Sequence, residues 1–510
     1  MNPARRAFLH TSLCGGGAML LGGCERLTST INQSLGETVP PTLPIPNSIE
    51  IDPDFHLLSR ASFGPWPGDL ARVRELGQAA WLEEQLEPAR IHDGLCDFRA
   101  ERFESISFSA GNAYEFRKPV MREELTRHTF LRAVYSRRQL FEVMVEFWSD
   151  HLNIDLNKGD CIYLKTSDDR DVIRKHALGN FRDLIRASAT SPAMLVYLDG
   201  KANKVRRGGK DQPNENYARE LLELHTLGVD GGYTQTDVFE AARCLSGWTF
   251  DRKRFFAMNP SDAFFRPDWH DNGPKRILDH DIAAGGGEKD LDALIEIVAN
   301  HPSTAKFIVT KLCHRFVSDE PSTALVDQLA AVFMQSDGDI KTILRALFTA
   351  EEFLSSRGTL LKRPFKFMVS AMRALAADTY AAKGAVEPLD QMGQSLFQYP
   401  TPDGYPDEEA PWLGTLMWRW NYAIALASGE APGVRVNLYP LIQSLGGDAF
   451  TLERAFAYLV GRTPTSDETT VLKNVVASVE AGKNGTDASK KRSLELVCGI
   501  ILASPAYQRC

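Results

Sequence analysis

The sequence lacks the cysteine pairs that bind metals or carry redox chemistry. Its 510 residues include eight cysteines, and no two of them form a C-x-x-C pair or have a histidine at zinc-knuckle spacing. Because thiolate metal sites depend on such spacing, we expect no metal–thiolate centre. We expect most of the cysteines to be single and buried.

A basic stripe and a membrane-length apolar run are also lacking. The net charge is -8, and no segment carries the dense positive charge that binds phosphate backbones. We therefore expect no nucleic-acid partner. The apolar stretch 11–23 is rich in glycine and shorter than the ~20 residues of a spanning helix, and no second candidate span follows it.

Familiar catalytic motifs are the third absence. The sequence has no G-x-S-x-G, no H-E-x-x-H, no Walker A loop, no Rossmann glycine pattern and no C-x-x-C-H. These absences exclude the enzyme classes that the motifs define. They leave the reaction, the substrate and any cofactor open.

What the sequence does have is the pattern of an export signal at its start. Arg5 and Arg6 precede the apolar residues 11–23, which is the layout of a twin-arginine signal. Residues 21–24 (Leu-Gly-Gly-Cys) match a lipobox in which Cys24 would be acylated. The alternative is an ordinary small-residue cleavage site beside an incidental cysteine.

This pattern predicts a location and a membrane contact. We expect residues 1–23 to be a cleaved signal peptide and residues 24–50 to be a polar tether. The mature protein would then be an extracytoplasmic lipoprotein, periplasmic or anchored to the outer membrane, and it would contact the membrane through its lipid.

The rest of the sequence has a helical apolar period almost throughout, as in Leu140, Val143, Met144 and Phe147. Residues 255–256 and 264–265 are Phe-Phe pairs on either side of an Asn-Pro-Ser-Asp turn, and they predict one short β-hairpin within residues 250–269. We therefore expect a mainly α fold with a multi-helix layered architecture.

Two helical domains are predicted, over residues 51–355 and 356–510, with a boundary in the Ser-Ser-Arg-Gly segment 355–358. Residues 311–353 and 454–507 have the same order of helix, acidic-proline turn and further helices. This order indicates a repeated module. The alternative is that any two amphipathic helical triplets look alike.

Seven collinear segments resemble one bacterial family. They are residues 57–86, 147–151 (FWSDH), 214–228 (NENYARELLELHTLG), 240–248 (EAARCLSGW), 270–275 (HDNGPK), 301–316 and 404–412. Together they resemble the family catalogued as domain of unknown function number eighteen hundred, from about residue 50 to the C-terminus. The resemblance implies a large, mostly helical, extracytoplasmic protein of no settled activity. It also implies an exported sulfatase-like partner protein, because the family is often encoded beside one.

The segment 214–228 predicts a helix with one buried stripe. Asn214 can cap this helix, and Tyr217, Leu221 and Leu224 recur at the spacing of a buried face.

Another face of the same helix carries candidate site residues. Asn216, Glu220 and Glu223 follow at i, i+4 and i+7. Such a row can hold a hard divalent cation or supply a catalytic acid and base, with Asn214, Asn216 and Arg219 binding substrate. The alternative is a solvated face on which Arg219 pairs with Glu223.

His151, His270 and Asp271 complete the predicted catalytic set. His151 lies on the apolar stripe of its helix, where it is either a hydrogen-bonded core histidine or part of a site. His270 and Asp271 lie in a loop after the hairpin, with Lys275 as a substrate-binding group, and polar loop clusters often carry function. We expect this set to converge with the two carboxylates in one pocket.

Two functions stay open. One is an extracytoplasmic hydrolase or metal-dependent enzyme acting on envelope or environmental polymer. The other is a non-catalytic, lipid-anchored scaffold or escort for an exported partner protein. Convergence of the polar residues in a concave pocket would favour the enzyme.

The export assignment is tested by cell fractionation of two variants. Changing Arg5 and Arg6 together to Lys should leave the chain unprocessed in the cytoplasm, because the export receptor reads the arginine pair. Cys24→Ser should release the mature chain from membranes or block its processing. Normal envelope delivery of the double-lysine variant, or a processed and membrane-bound Cys24→Ser protein, would contradict the respective assignment.

Overall fold

The computed structural model describes residues 39–205, 211–250, 263–447, 450–480 and 487–510. The predicted signal, with Arg5, Arg6 and Cys24, lies outside the described residues, and its assignment stays a prediction. Residues 41–510 form one compact unit. The division near residue 356 stays a prediction about sequence modules.

The fold is mainly α, as predicted. The α-helices are α1 (Pro53–Ala61), α2 (Asp69–Leu76), α3 (Gln78–Leu86), α4 (Gly94–Ala100), α5 (Lys118–Tyr135), α6 (Gln139–His151), α7 (Cys161–Asp168), α8 (Arg174–His176), α9 (Phe181–Ala189), α10 (Pro192–Tyr197), α11 (Asn216–Glu220), α12 (Gln235–Leu245), α13 (Lys289–Ala299), α14 (Pro302–Phe316), α15 (Thr323–Gln335), α16 (Ile340–Thr349), α17 (Glu351–Ser355), α18 (Pro364–Ala374), α19 (Lys383–Val386), α20 (Pro388–Gln391), α21 (Leu416–Ala427), α22 (Leu438–Ser444), α23 (Leu452–Val460), α24 (Ser466–Glu480), α25 (Asp487–Ala503) and α26 (Pro505–Gln508).

Tighter and wider helical turns connect these elements. The 3₁₀ turns are Pro88–Arg90, Glu104–Ser107, Asn112–Glu115, Gly200–Ala202, Pro267–Trp269 and Ala410–Thr415. One π-helix, Asp169–Ile173, follows α7 directly, and a second, Leu221–Thr226, follows α11 directly.

Local sequence explains where the helices begin and which faces they bury. On α6 the predicted stripe of Leu140, Val143, Met144 and Phe147 is buried. At the start of α12, Thr234 and Asp237 form a reciprocal capping box, which satisfies backbone N–H groups that would otherwise lack partners.

Within the described residues, six short strands form three antiparallel pairs. β1 (Trp248–Thr249) pairs with β2 (Phe264–Phe265), β3 (Lys275–Ile277) with β4 (His280–Ile282), and β5 (Asp378–Thr379) with β6 (Val434–Arg435). The predicted strand at residues 264–265 is confirmed, and its partner is β1. Residues 255–256, the other predicted strand, lie outside the described residues. The pairs β3–β4 and β5–β6 were not predicted, because strands of two or three residues leave no readable alternation.

The two segments predicted to be repeats contain helices in the same order. Residues 302–355 hold α14 to α17, and residues 452–508 hold α23 to α26. In each segment a short last helix follows the third helix after a single residue, Ala350 or Ser504. This order agrees with the repeat, which stays a prediction.

The last part of the predicted tether lies against the compact unit. Leu43 is buried, and its backbone N–H donates to the carbonyl oxygen of Ser444 at 3.3 Å. The N–H of Thr463 donates to the carbonyl oxygen of Ser48 at 2.7 Å. Residues 24–38 of the tether lie outside the described residues.

None of the described helices is both long and apolar enough to cross a bilayer. The six cysteines within the described ranges, Cys96, Cys161, Cys244, Cys313, Cys498 and Cys510, are free and buried. The prediction of single buried cysteines is confirmed for these six.

A buried ion network joins α6, α14 and α18 to the chain before α21. Arg363 donates to Asp150 Oδ2 at 2.7 Å and to Asp407 Oδ1 at 2.8 Å. Lys311 of α14 donates to the other oxygen of Asp407 at 2.7 Å. Arg363 and Lys311 lower the pKa of Asp407 against the opposing effect of burial, which keeps this carboxylate charged.

Removing Arg363 should therefore destabilise the fold. We expect Arg363→Met to lower the free energy of unfolding by up to about 3–5 kcal/mol, because it leaves two carboxylates that are only 15% and 14% exposed without their shared cation. Urea unfolding measures the change. Arg276→Met is the matched control, since the Arg276 side chain is 61% exposed in its ion pairs. Equal effects of the two substitutions would contradict the role given to Arg363.

Candidate functional site

The segment that carries Glu220 and Glu223 is helical, but it is not a single α-helix. α11 ends at Glu220, and the second π-helix, Leu221–Thr226, continues it. The N–H of Leu227 donates to the carbonyl oxygen of Leu222 at 2.8 Å, which is the five-residue spacing of a π-turn. Such turns are rare and often occur at functional sites.

The wider turn changes which side chains are buried. Tyr217 and Leu221 are buried as predicted, but Leu224 is only half-buried. Leu222 and His225 are buried instead. Because a π-helix has more residues per turn than an α-helix, the predicted α-helical stripe is wrong after residue 221.

The predicted substrate-binding residues at the start of this segment make local contacts. Asn214 Oδ1 accepts a hydrogen bond from the N–H of Asn216 at 3.0 Å, but the N-cap residue of α11 is Glu215, one residue later than predicted. Asn216 Nδ2 donates to the carbonyl oxygen of Leu198 at 3.0 Å. Arg219 pairs with Glu215 at 3.2 Å, so the alternative in which it pairs with Glu223 is wrong.

Glu220 and Glu223 are half-buried and have different surroundings. Glu223 Oε2 accepts a hydrogen bond from the Tyr233 hydroxyl at 3.1 Å. Within the described ranges, no hydrogen bond or ion pair engages the carboxyl group of Glu220. One carboxyl group is therefore oriented by the protein, and the other is available to a ligand.

Burial and nearby charges also affect the pKa of Glu220. Burial raises the pKa of Glu220, and the charges of Glu223 and Asp403 raise it further against the opposing effect of Arg219. Glu220 therefore keeps its proton to a higher pH than an ordinary glutamic acid. Burial and the hydrogen bond to Glu223 raise the pKa of Tyr233 to about 12, and the phenol stays a donor.

Asp403 comes from a distant part of the chain, residues 397–404, that α6 and α10 hold in place. Asn153 Nδ2 donates to the carbonyl oxygens of Tyr399 at 2.9 Å and Thr401 at 2.7 Å. The Tyr197 hydroxyl donates to the carbonyl oxygen of Pro400 at 3.0 Å. Sequence reasoning missed Asp403, Tyr197 and Tyr233, although Asp403 directly precedes the family-like segment 404–412.

Gly404 makes the close approach of this segment possible. Its φ is +77°, and a Cβ there would meet the carbonyl oxygen of Asp150 at 2.2 Å. The N–H of Tyr405 donates to Asp150 Oδ1 at 2.8 Å. Only glycine fits a left-handed position packed this closely on a helix end.

His151 is buried against the second π-helix. Its Nε2 donates to the carbonyl oxygen of His225 at 3.1 Å, and its Nδ1 has no partner within the described chain. Burial lowers the pKa of His151 well below its usual range, with Lys311 adding to the effect. A neutral, enclosed imidazole fits the core-histidine interpretation and supports the π-helix from behind.

His270 and Lys275 are anchors of their loop. His270 Nδ1 donates to the carbonyl oxygen of Ser246 at 2.8 Å, and its Nε2 lies 3.0 Å from Asp290 Oδ2. Lys275 Nζ donates to the same Asp290 oxygen at 2.5 Å. The three side chains are at most 1% exposed.

Asp271 is paired as well. Its two carboxylate oxygens accept hydrogen bonds from Arg243 at 2.8 and 3.0 Å. This bidentate pair lowers the pKa of Asp271 to about 2. The residue is thereby held as a carboxylate that fastens the loop to α12.

The predicted residues therefore fall into sets with different partners. His151 contacts the π-helix that follows Glu220. Within the described parts of the chain, no hydrogen bond or ion pair links His270, Asp271 or Lys275 to the two glutamates. Their convergence in a single pocket stays a prediction.

A metal site is not evident. In the part of the chain that the structure describes, no group of three or more His, Cys, Asp or Glu side chains is arranged to hold a metal ion. The row of Asn216, Glu220 and Glu223 gains no support as a cation site from this geometry.

Comparison with known proteins gives one result. A family model described as "Protein of unknown function (DUF1800)" matches residues 56–509. No curated protein and no solved structure matches the chain. The match covers every segment in which the glutamate pair, its neighbours and the ion network lie.

The raised pKa of Glu220 can be measured directly. In a ¹³C NMR titration of labelled glutamate side chains, we expect the pKa of Glu220 to lie above that of an exposed glutamate. Glu223→Gln should lower it, because the substitution removes a nearby negative charge. Asp403→Asn should lower it as well. A Glu220 pKa that neither substitution moves would contradict the coupling.

Proposed function

We propose that this member of the DUF1800 family of proteins of unknown function is an extracytoplasmic hydrolase that cleaves an envelope or environmental polymer. Glu220 and Glu223 are its catalytic acid and base. The observation that carries the proposal is the half-exposed glutamate pair with unlike surroundings at the junction of α11 and the second π-helix. Paired carboxyl groups with pKa values pushed apart are the usual means of combining acid and base catalysis.

Accessibility supports this pair over the other predicted residues. His151, His270 and Lys275 are at most 3% exposed, whereas Glu220 and Glu223 are half-exposed. A catalytic group has to come within hydrogen-bond reach of its substrate. The buried residues therefore serve as supports for the pair and for the loop after β2.

The two glutamates take complementary parts in the reaction. Glu223 accepts a proton from an attacking water, and the oxygen of that water forms the new bond to the substrate. Glu220 donates its proton to the leaving oxygen as the old bond breaks. Each carboxyl group ends in the other's starting state, and proton exchange with solvent restores the pair.

The surroundings of the pair suit these parts. Burial, Glu223 and Asp403 raise the pKa of Glu220, which is the direction that a catalytic acid requires. The Tyr233 hydroxyl orients Glu223.

Location is part of the proposal. Arg5 and Arg6 supply the pattern of folded export, and Cys24 supplies the pattern of a lipid anchor. Export and lipid anchoring together would hold the enzyme at the membrane surface, close to envelope polymer. The open alternative is a lipid-anchored scaffold for an exported, sulfatase-like partner.

Two substitutions and a control separate the enzyme from the scaffold. We expect Glu220→Gln and Glu223→Gln each to slow the release of soluble fragments from isolated envelope polymer by about 10²-fold or more. Glu215→Gln, on the same helix, should leave the rate unchanged, because Glu215 pairs with Arg219 and Gln235.

We expect Glu220→Gln to reduce activity without reducing thermal stability. Glu220 has a raised pKa in the folded state, which means that the native protein binds its proton more tightly than the unfolded chain does. Its contribution to stability therefore falls as the pH rises from about 4.5 through the raised pKa. At neutral pH, Glu220→Gln should melt no lower than wild type. A Glu220→Gln protein with full activity would refute the proposal.

A further inference from the structure

Exposed apolar side chains collect on one face of α21 and of the 3₁₀ turn that runs into it. The exposed fractions are 44% for Leu413, 59% for Met417, 46% for Trp420 and 38% for Ile424. We call these four residues the α21 face. Trp418 is also exposed, but it lies about 100° or more around the helix from each of them. Elsewhere in the described chain, large exposed apolar side chains such as Leu76, Val229 and Met334 are separated from one another in sequence. Contiguous apolar patches on a protein surface usually mark an interaction site.

The orientation of this face is fixed by the opposite side of the helix. Tyr422, Ala423 and Leu426 are buried, and α25 packs closely enough that a Cβ on Gly499 would lie 3.1 Å from Ile424 Cα. Arg419 is fully buried and donates to the carbonyl oxygen of Lys362 at 2.6 Å. The helix cannot rotate to hide its apolar face without breaking these contacts.

The α21 face carries no charge. Between residues 411 and 427 the only charged residue is Arg419, which points inward. Helices that bind membrane surfaces usually carry Lys and Arg around their apolar face. The core of a protein–protein interface is instead depleted of charge and enriched in aromatic residues and methionine.

The spacing of the residues along the α21 face indicates which kind of partner would pack on it. Leu413, Met417, Trp420 and Ile424 follow at intervals of four, three and four residues, the alternation with which packed helices meet. The order four-three-four is the same read in either direction. An antiparallel copy of α21 therefore presents matching intervals, and a two-fold axis near Trp418 places Met417 opposite Trp420 of the second copy.

We propose that two copies of this chain associate through the α21 face, with their α21 helices antiparallel about a two-fold axis. Two uncharged faces meet without like-charge repulsion, and the Met417–Trp420 contact is a favourable sulfur–aromatic pair. The four side chains expose about 400 Å² per copy, and their pairing would bury about 800 Å² in total, which is the size of a weak, transient interface. The dimer should therefore dissociate on dilution.

The test is sedimentation equilibrium of the full chain carrying Cys24→Ser, a background that removes the predicted lipid. We expect a concentration-dependent dimer. Met417→Glu and Trp420→Lys should each give a monomer, because each buries an uncompensated charge at the contact. Met334→Glu is the matched control, since Met334 is an exposed methionine on α15, and it should still dimerise.

Mixing the two variants tests the antiparallel arrangement itself. A heterodimer of Met417→Glu with Trp420→Lys places the new glutamate opposite the new lysine, and it keeps one native Met417–Trp420 contact. We expect the mixture to recover dimer that neither variant forms alone. Circular dichroism of each variant should match wild type, which separates loss of association from loss of fold.

Three results would overturn the proposal. One is a wild-type chain that remains monomeric at all concentrations. Another is a dimer that both charged substitutions leave intact. The third is a monomer that co-sediments with phosphatidylethanolamine–phosphatidylglycerol vesicles and loses this binding in Trp420→Lys, which would assign the face to a lipid surface. The proposal does not depend on the proposed hydrolase activity.

Discussion

The guanidinium of Arg363 pairs with two half-buried carboxylates, Asp150 at the end of α6 and Asp407 before α21. Charges of this kind are costly to bury singly and are tolerated when they are paired and hydrogen-bonded. The pairing therefore constrains where the segment leading into α21 can lie. Gly404 lets that segment close against α6, and Asn153 and Tyr197 hold its carbonyl oxygens.

The consequences of this constraint reach the glutamate pair. The held segment carries Asp403, whose charge adds to burial and to Glu223 in raising the pKa of Glu220. Behind the pair, buried His151 supports the π-helix through the carbonyl oxygen of His225. The chemistry that we propose thus depends on a carboxyl group whose pKa is raised by burial and by residues from two distant parts of the sequence. It depends equally on the second π-helix, which begins directly after Glu220 and contains Glu223.

Local features were predictable from the sequence, and long-range features were not. The α6 stripe, the capping box of Thr234 and the strand at residues 264–265 depend on neighbours in sequence, and the structure has them. Glu220 and Glu223 were identified by their spacing. The π-helix was not, because the apolar residues after Leu221 fit an α-helical period equally well. Asp403 joins the pair from far along the chain, and no local pattern indicates such a contact. The pairing of the His270 loop with Asp290 and Arg243 was not predictable from the sequence either, and the part of this loop in a site stays a prediction.

The most direct test of the central claim is hydrogen exchange of the full chain with and without solubilised peptidoglycan and polysaccharide fragments of the envelope. The account predicts slower exchange in residues 216–226 and 397–409, because a polymer bound at the glutamate pair covers both segments. Exchange in the loop of residues 270–275 should not change. Slower exchange confined to residues 411–427, or no change in either predicted segment, would contradict a catalytic site at Glu220 and Glu223.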